Sequence, residues 1–236
     1  MTESTPRRRP RLVGIIAIVV IGMIGLAVLA SLSLDDGEDE PIEITGAQEV
    51  QRLVGGIPQL EDRLGEDNAP VTIEVFSDLQ CEGCAEYHLA TIDPLIESEV
   101  RAGEVKLVFR HYSMDADRAT GVAGLGAESA GLQSQQWQFI ELFFRNQTEA
   151  GNSGIISQPF LDQIANGILN LNVEQWQRDF NEPEIQEELE EDEMVAIGRR
   201  LPLDPAVVVT GNDRDQELIE EPSLEEIRQA ISAVEE

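Results

Sequence analysis

The stretch Val71 to Leu89, VTIEVFSDLQCEGCAEYHL, constrains this chain most: a hydrophobic run, a short polar turn and a Cys-x-x-Cys pair follow one another. Val71, Ile73, Val75 and Phe76 form a β-branched and aromatic run without Gly or Pro, the mark of a buried strand. Ser77 and Asp78 end it. From Cys81 onward, Cys84, Leu89 and Ile92 recur at helical spacing, which places Cys81 at or just before a helix N-terminus. A helix start offers unpaired N–H groups and a partial positive charge, and both favour a thiolate, the nucleophile of disulfide exchange. Cys84 lies one turn on, placed to close a disulfide or to resolve a mixed one. Glu82, between the two, puts a carboxylate beside that thiolate and is expected to raise its pKa.

Other chemistries compete for the same pair. The chain has just two cysteines, and a structural staple seldom spans three residues ahead of a helix, which favours a redox pair. Metal binding would draw on Cys81, Cys84 and His88, which share one helical face, but a structural zinc needs a fourth ligand from His111 or a carboxylate. Covalent haem attachment requires His directly after the second cysteine, where Ala85 stands. His88 itself reads as a partly buried helix residue and His111 as the end of a strand.

Toward the N-terminus, residues 1–11 are polar with four arginines, and residues 12–34 are an uncharged, largely apolar run of 23 residues. At 1.5 Å per residue this spans about 34 Å, enough for the roughly 30 Å hydrocarbon core. Arginines before it and the acidic DDGEDE after it predict a single-pass anchor with the N-terminus in the cytoplasm and the rest of the chain outside. A cleaved signal peptide, with Val28-Leu29-Ala30 as a small-residue site, is the alternative. Residues 35–55 read as an acidic linker. Beyond residue 34 the chain carries 12 basic against 45 acidic residues, or −33, a surface that repels nucleic acid and anionic headgroups.

Glu104 to Tyr112 alternates as a second core strand, and helices are predicted across 117–147, 156–167, 173–180 and 183–197. Trp137, Phe139, Ile140, Phe143 and Phe144 form a stripe expected to be core. Residues 206–210 and 217–220 make a strand, turn and strand, and Ser223 with Glu226 opens a last helix as a capping box. Periodicity alone gives an α/β class.

The run GIPQLEDRLGEDNAPVTIEVFSDLQCEGC, residues 56–84, resembles the entrance of DsbA-like thioredoxin-fold proteins, and the likeness continues more loosely through Phe109 to Tyr112, the helix around Trp137, and Asp204 to Val209. The resemblance implies a thioredoxin-like α/β domain over 56–236 with a helical insertion at about 116–197, preceded by the transmembrane helix. It implies Cys81 as the attacking thiol, Cys84 as the resolving one, and Pro205 as a cis-proline opposite them, with Asp204 before it offering its backbone to a bound substrate. Asp204 departs from the family, where Thr or Val is more usual. The expected activity is thiol–disulfide exchange on cysteine-containing proteins at the outer face of the cell membrane. The redox-active disulfide serves in place of a cofactor, a separate redox partner is needed, and nucleic acid is not a partner. A tethered binding or chaperone-like module with little turnover is the alternative.

Overall fold

A computed structural model describes residues 43–112, 121–151, 156–201, 205–211, 214–218 and 221–235. The predicted tail at 1–11 and membrane span at 12–34 lie outside these residues. Among the described residues no helix is long and apolar enough to cross a membrane.

Two strands expected from the sequence run side by side at the centre of a six-stranded sheet. Strands β3 (Val71–Ser77) and β4 (Val105–His111) pair in parallel, from Val71 opposite Val105 to Ser77 opposite His111. A short antiparallel hairpin, β1 (Gln59–Leu60) and β2 (Arg63–Leu64), extends the β4 side, while β5 (Ala206–Gly211) and β6 (Arg214–Leu218) extend the β3 side antiparallel, giving the order β1-β2-β4-β3-β5-β6. The two-residue strands β1 and β2 are too short to leave a period in the sequence.

Alternation along the strands sorts side chains to two faces. Val71, Ile73, Val75, Leu107, Phe109, Val207 and Val209 face the main core, and Phe76, Ala206 and Val208 face a smaller one closed by Tyr112, Ala196 and Leu201. Helix α1 (Ala47–Val54) buries Val50, Leu53 and Val54, spaced i, i+3, i+4, against the main core. This corrects the predicted linker: the folded domain begins by residue 43, and its apolar spacing was hidden in an acid-rich segment.

After β3 come α2 (Glu82–Tyr87) and α3 (Asp93–Leu95), joined and followed by π-helical turns at His88–Ile92 and Ile96–Val100. Pro94 has no N–H to give and crowds the carbonyl four residues back, so the helix loosens ahead of it: Asp93 N–H bonds His88 O, five residues back. An α-helix would set residues 88 and 93 roughly 140° apart. The i to i+5 turn brings them toward one face instead.

The insertion between β4 and β5 is helical as expected, with α4 (Gly121–Gly131), α5 (Gln136–Gly151), α6 (Gln158–Gly167), α7 (Val173–Asp179) and α8 (Pro183–Arg199). The aromatic stripe on α5 is core: Trp137, Phe139, Ile140, Phe143 and Phe144 are all buried. Its helices lie close, and at Gly126 a Cβ would stand 2.6 Å from Phe139 Cζ. Helix α8 covers the smaller face of the sheet, where Arg110 reaches Asp192 at 2.8 Å, Asp62 at 3.1 Å and Glu74 at 3.3 Å. The last helix, α9 (Leu224–Glu235), opens on the predicted capping box, with Ser223 N–H donating to Glu226 Oε2 at 2.8 Å.

Candidate active site

Strand β3 delivers the chain to the cysteines through a turn that Asp78 builds: its Oδ1 accepts from Gln80 N–H at 2.8 Å and its carbonyl from Cys81 N–H at 3.1 Å. Cys81 then caps α2. Its backbone is extended (φ −84°, ψ 118°), and its Sγ accepts the N–H of Cys84 at 3.1 Å. The two cysteines are joined in a disulfide with Cα atoms 5.2 Å apart. Cys84 is wholly buried and Cys81 partly exposed, so an incoming thiol meets Cys81 first. From α5, Gln147 Nε2 donates to Leu79 O at 2.5 Å and Cys81 O at 3.0 Å, pinning the turn from behind.

The proline predicted to face the pair is buried at the start of β5, where Ala206 pairs with Phe76 near the end of β3. Asp204 and the peptide bond joining it to Pro205 lie outside the described residues. Pro205 O accepts from Glu221 N–H at 3.3 Å, and Glu221 Oε1 lies 3.9 Å from where a Cβ on Gly83 would be, so Glu221 links the proline segment to the Cys-x-x-Cys turn. Tyr87 adds a second tie, its hydroxyl donating to Pro222 O at 3.0 Å. Burial pushes the Tyr87 phenol up, and Glu221 and Glu226 push it further. Glu82 is exposed in the first turn of α2, so with Glu221 the rim of the site is acidic. No local pattern announces Glu221, which becomes part of the site through a left-handed backbone (φ 56°) ahead of Pro222.

Beneath α2 lies a group of charges drawn from segments distant in sequence. His88 is 1% exposed, and its Nε2 lies 2.8 Å from Oε1 of Glu141, which is 0% exposed. Arg145 pairs with both Glu141 and Asp93, the latter at 2.5 Å, and Asp93 also hydrogen-bonds Glu141. Burial works to raise the Glu141 carboxyl, but His88 and Arg145 overcome it and hold it below the usual range. Asp93 goes the other way, raised to about 8 by burial and by Glu141, against the pull of Arg145. The rings of Phe144, Trp137 and Phe109 surround His88 at 4.8, 6.2 and 6.4 Å.

The metal alternative needed Cys81, Cys84 and His88 to converge. Among the described residues, the acid and imidazole atoms near enough to one another for an ion are those of His88, Asp93 and Glu141, with no cysteine among them. The guanidinium of Arg145 already supplies the cation there. His111 sits apart, its backbone N–H donating to Asp192 Oδ2 at 2.9 Å and its ring Nε2 3.3 Å from Glu128 Oε1. Burial, before the opposing pull of His111 and Arg110, raises Asp192 to about 6.

The comparisons with known proteins agree with this architecture. A family model described as Thioredoxin matches residues 60–233. A probable disulfide bond formation protein D of Bacillus anthracis is 25% identical over 172 residues, covering 72% of this chain and 76% of that one. Its counterpart in Bacillus cereus is 24% identical over 172 residues, covering 72% and 77%. Among solved structures, oxidised BdbD from Bacillus subtilis superposes with a TM-score of 0.63 at 20% identity, covering 75% of this chain and 96% of that one. Wolbachia pipientis alpha-DsbA1 gives 0.63 at 18% identity, covering 80% and 96%.

Proposed function

This chain belongs to the thioredoxin family, on its DsbA-like side, and from that premise we propose that it is a membrane-anchored thiol–disulfide oxidoreductase working on protein cysteines outside the cytoplasm. The observation that carries the reading is the asymmetry of the pair: Cys81 partly exposed at a helix cap, Cys84 buried behind it. A substrate thiolate attacks Cys81 Sγ, the Cys81–Cys84 bond breaks, and Cys84 leaves with the electron pair. A second substrate thiol releases the mixed disulfide in the oxidising direction. Attack by Cys84 on Cys81 releases the substrate in the reducing one. The net direction follows the potential of the redox partner.

The acidic rim of Glu82 and Glu221 works against the helix terminus in stabilising the Cys81 thiolate, and Pro205, with Asp204 before it, provides the platform for a substrate backbone. Because disulfides persist in oxidising compartments, the domain belongs outside the cytoplasm, held by residues 12–34. An insulin-reduction assay on the full chain in detergent tests the activity: wild type is expected to turn over and Cys81→Ser to be silent. Equal rates, or none for wild type, would leave the binding-module alternative. For the anchor, a reporter active only outside the cytoplasm and fused after residue 40 should give signal, and carbonate washing should leave the protein in the membrane fraction. Release into the soluble fraction would indicate a cleaved signal instead.

A further inference from the structure

We propose that Gln147 is a positioning residue for the attacking cysteine, holding Cys81 at the cap of α2 when reduction has broken its bond to Cys84. The inference rests on the redox reading above and deepens it, by assigning a task in the reaction to a side chain of the helical insertion.

The need arises on reduction. In the disulfide form the bond to Cys84 itself fixes Cys81 Sγ beside the N–H of residue 84. In the dithiol form that covalent hold is gone, and the cap survives only if the backbone of Cys81 stays extended. Two local bonds help: Cys81 N–H donates to Asp78 O at 3.1 Å, and Cys81 O accepts from Ala85 N–H at a longer 3.3 Å. Gln147 supplies a third hold from outside the segment. Its one amide donates to Leu79 O at 2.5 Å and to Cys81 O at 3.0 Å, so two carbonyls two residues apart are clamped together. The clamp keeps Sγ on the N–H of residue 84, where a thiolate is stabilised.

Two observations separate this role from packing. The clamp is anchored in a fixed part of α5, because the neighbouring Asn146 accepts from Thr45 N–H and donates to Thr45 O, both at 2.9 Å, and Phe143 and Phe144 are buried one turn back. Gln147 is 6% exposed, and its Oε1 is buried with no hydrogen-bond partner among the described residues. Turning the amide over would aim that oxygen at the two carbonyls, so its orientation is settled by the turn it holds. An unpaired buried acceptor costs stability, and a side chain chosen for the fold alone would not carry that cost. The clamp is redundant while the disulfide stands and needed once it opens, so Gln147 stabilises the reduced form over the oxidised one.

The test is Gln147→Met in the full chain in dodecyl maltoside, a substitution that keeps the length and apolar bulk but donates nothing. By ultraviolet thiolate absorbance, Cys81 should ionise about one pH unit higher than in wild type, and at mildly alkaline pH the equilibrium with glutathione should move up to about tenfold toward the disulfide. Glu82 and Glu221 stay in place, so the shift is read against the same acidic rim. The melting temperature of the reduced form should fall further than that of the oxidised form. Equal falls, with the thiolate titration and the glutathione equilibrium unchanged, would leave Gln147 a packing residue and overturn the proposal. Should Gln147→Met fail to fold, NMR of the wild type decides: the side-chain N–H pair of Gln147 should exchange with solvent as slowly after reduction as before, and exchange accelerated by reduction would overturn the clamp. A failure of the redox reading would show separately, as absent insulin turnover by wild type.

Discussion

Replacing Cys84 with serine is expected to leave the protein joined to its substrates. Cys81 keeps its partly exposed position at the cap of α2, and the N–H of residue 84 still points at its sulfur, so attack on a substrate disulfide proceeds. What is lost is the buried thiol that resolves the adduct. Turnover in the insulin assay should drop by at least about 10³-fold, the scale on which removing a nucleophile acts. Cell extracts run without reductant should show high-molecular-weight species that collapse on reduction. Cys81→Ser should show neither turnover nor these species, since Cys84 is 0% exposed and no substrate sulfur reaches it. Adducts formed by Cys81→Ser and not by Cys84→Ser would reverse the two roles.

The two variants differ because the site is built from one continuous stretch, which is also why it could be read from sequence. Strand, turn, cap and helix at 71–89 are local, and each leaves a period or a composition cue. The capping box at Ser223 and the aromatic stripe on α5 were legible for the same reason. Features made by contact between distant segments were not. Glu141 lies 53 residues from His88, and on α5 it reads as one acid among many in a chain of net charge −30. Glu221 reaches Gly83 only because the chain after β6 returns to the Cys-x-x-Cys turn. The π turn that carries His88 and Asp93 toward one face depends on Pro94 acting inside a helix, where periodicity had assumed 3.6 residues per turn. Helix α1 was missed by the opposite error, because acidic composition outweighed a short but correct apolar spacing.

Stability should fall as pH rises from about 5 to 8, and Asp93 should be the main reason. Burial, with Glu141 beside it, raises its folded pKa to about 8 from 3.8, and Arg145 only partly offsets this. Between those values the folded protein holds a proton that the unfolded chain has released. The stabilisation is therefore complete below about pH 4 and is lost as pH climbs through 8, with a slope of at most about 1.4 kcal/mol per unit. Asp192, raised to about 6, adds a slope of the same sign over the lower part of the range. Glu141 has the opposite sign: its folded pKa is lowered, so its contribution is present above the usual carboxylate range and disappears in stronger acid. The stability maximum should accordingly lie in mild acid. Over three pH units the Asp93 share is up to about 4 kcal/mol, a fall in melting temperature of order 10 °C for a domain of this size. Asp93→Asn removes the ionisation and keeps a donor toward Glu141. Its melting curve from pH 5 to 8 should be flatter than wild type by about one proton, and the variant should be the more stable of the two at pH 8. Parallel curves would mean that Asp93 is already ionised in the folded protein, with Arg145 neutralising it.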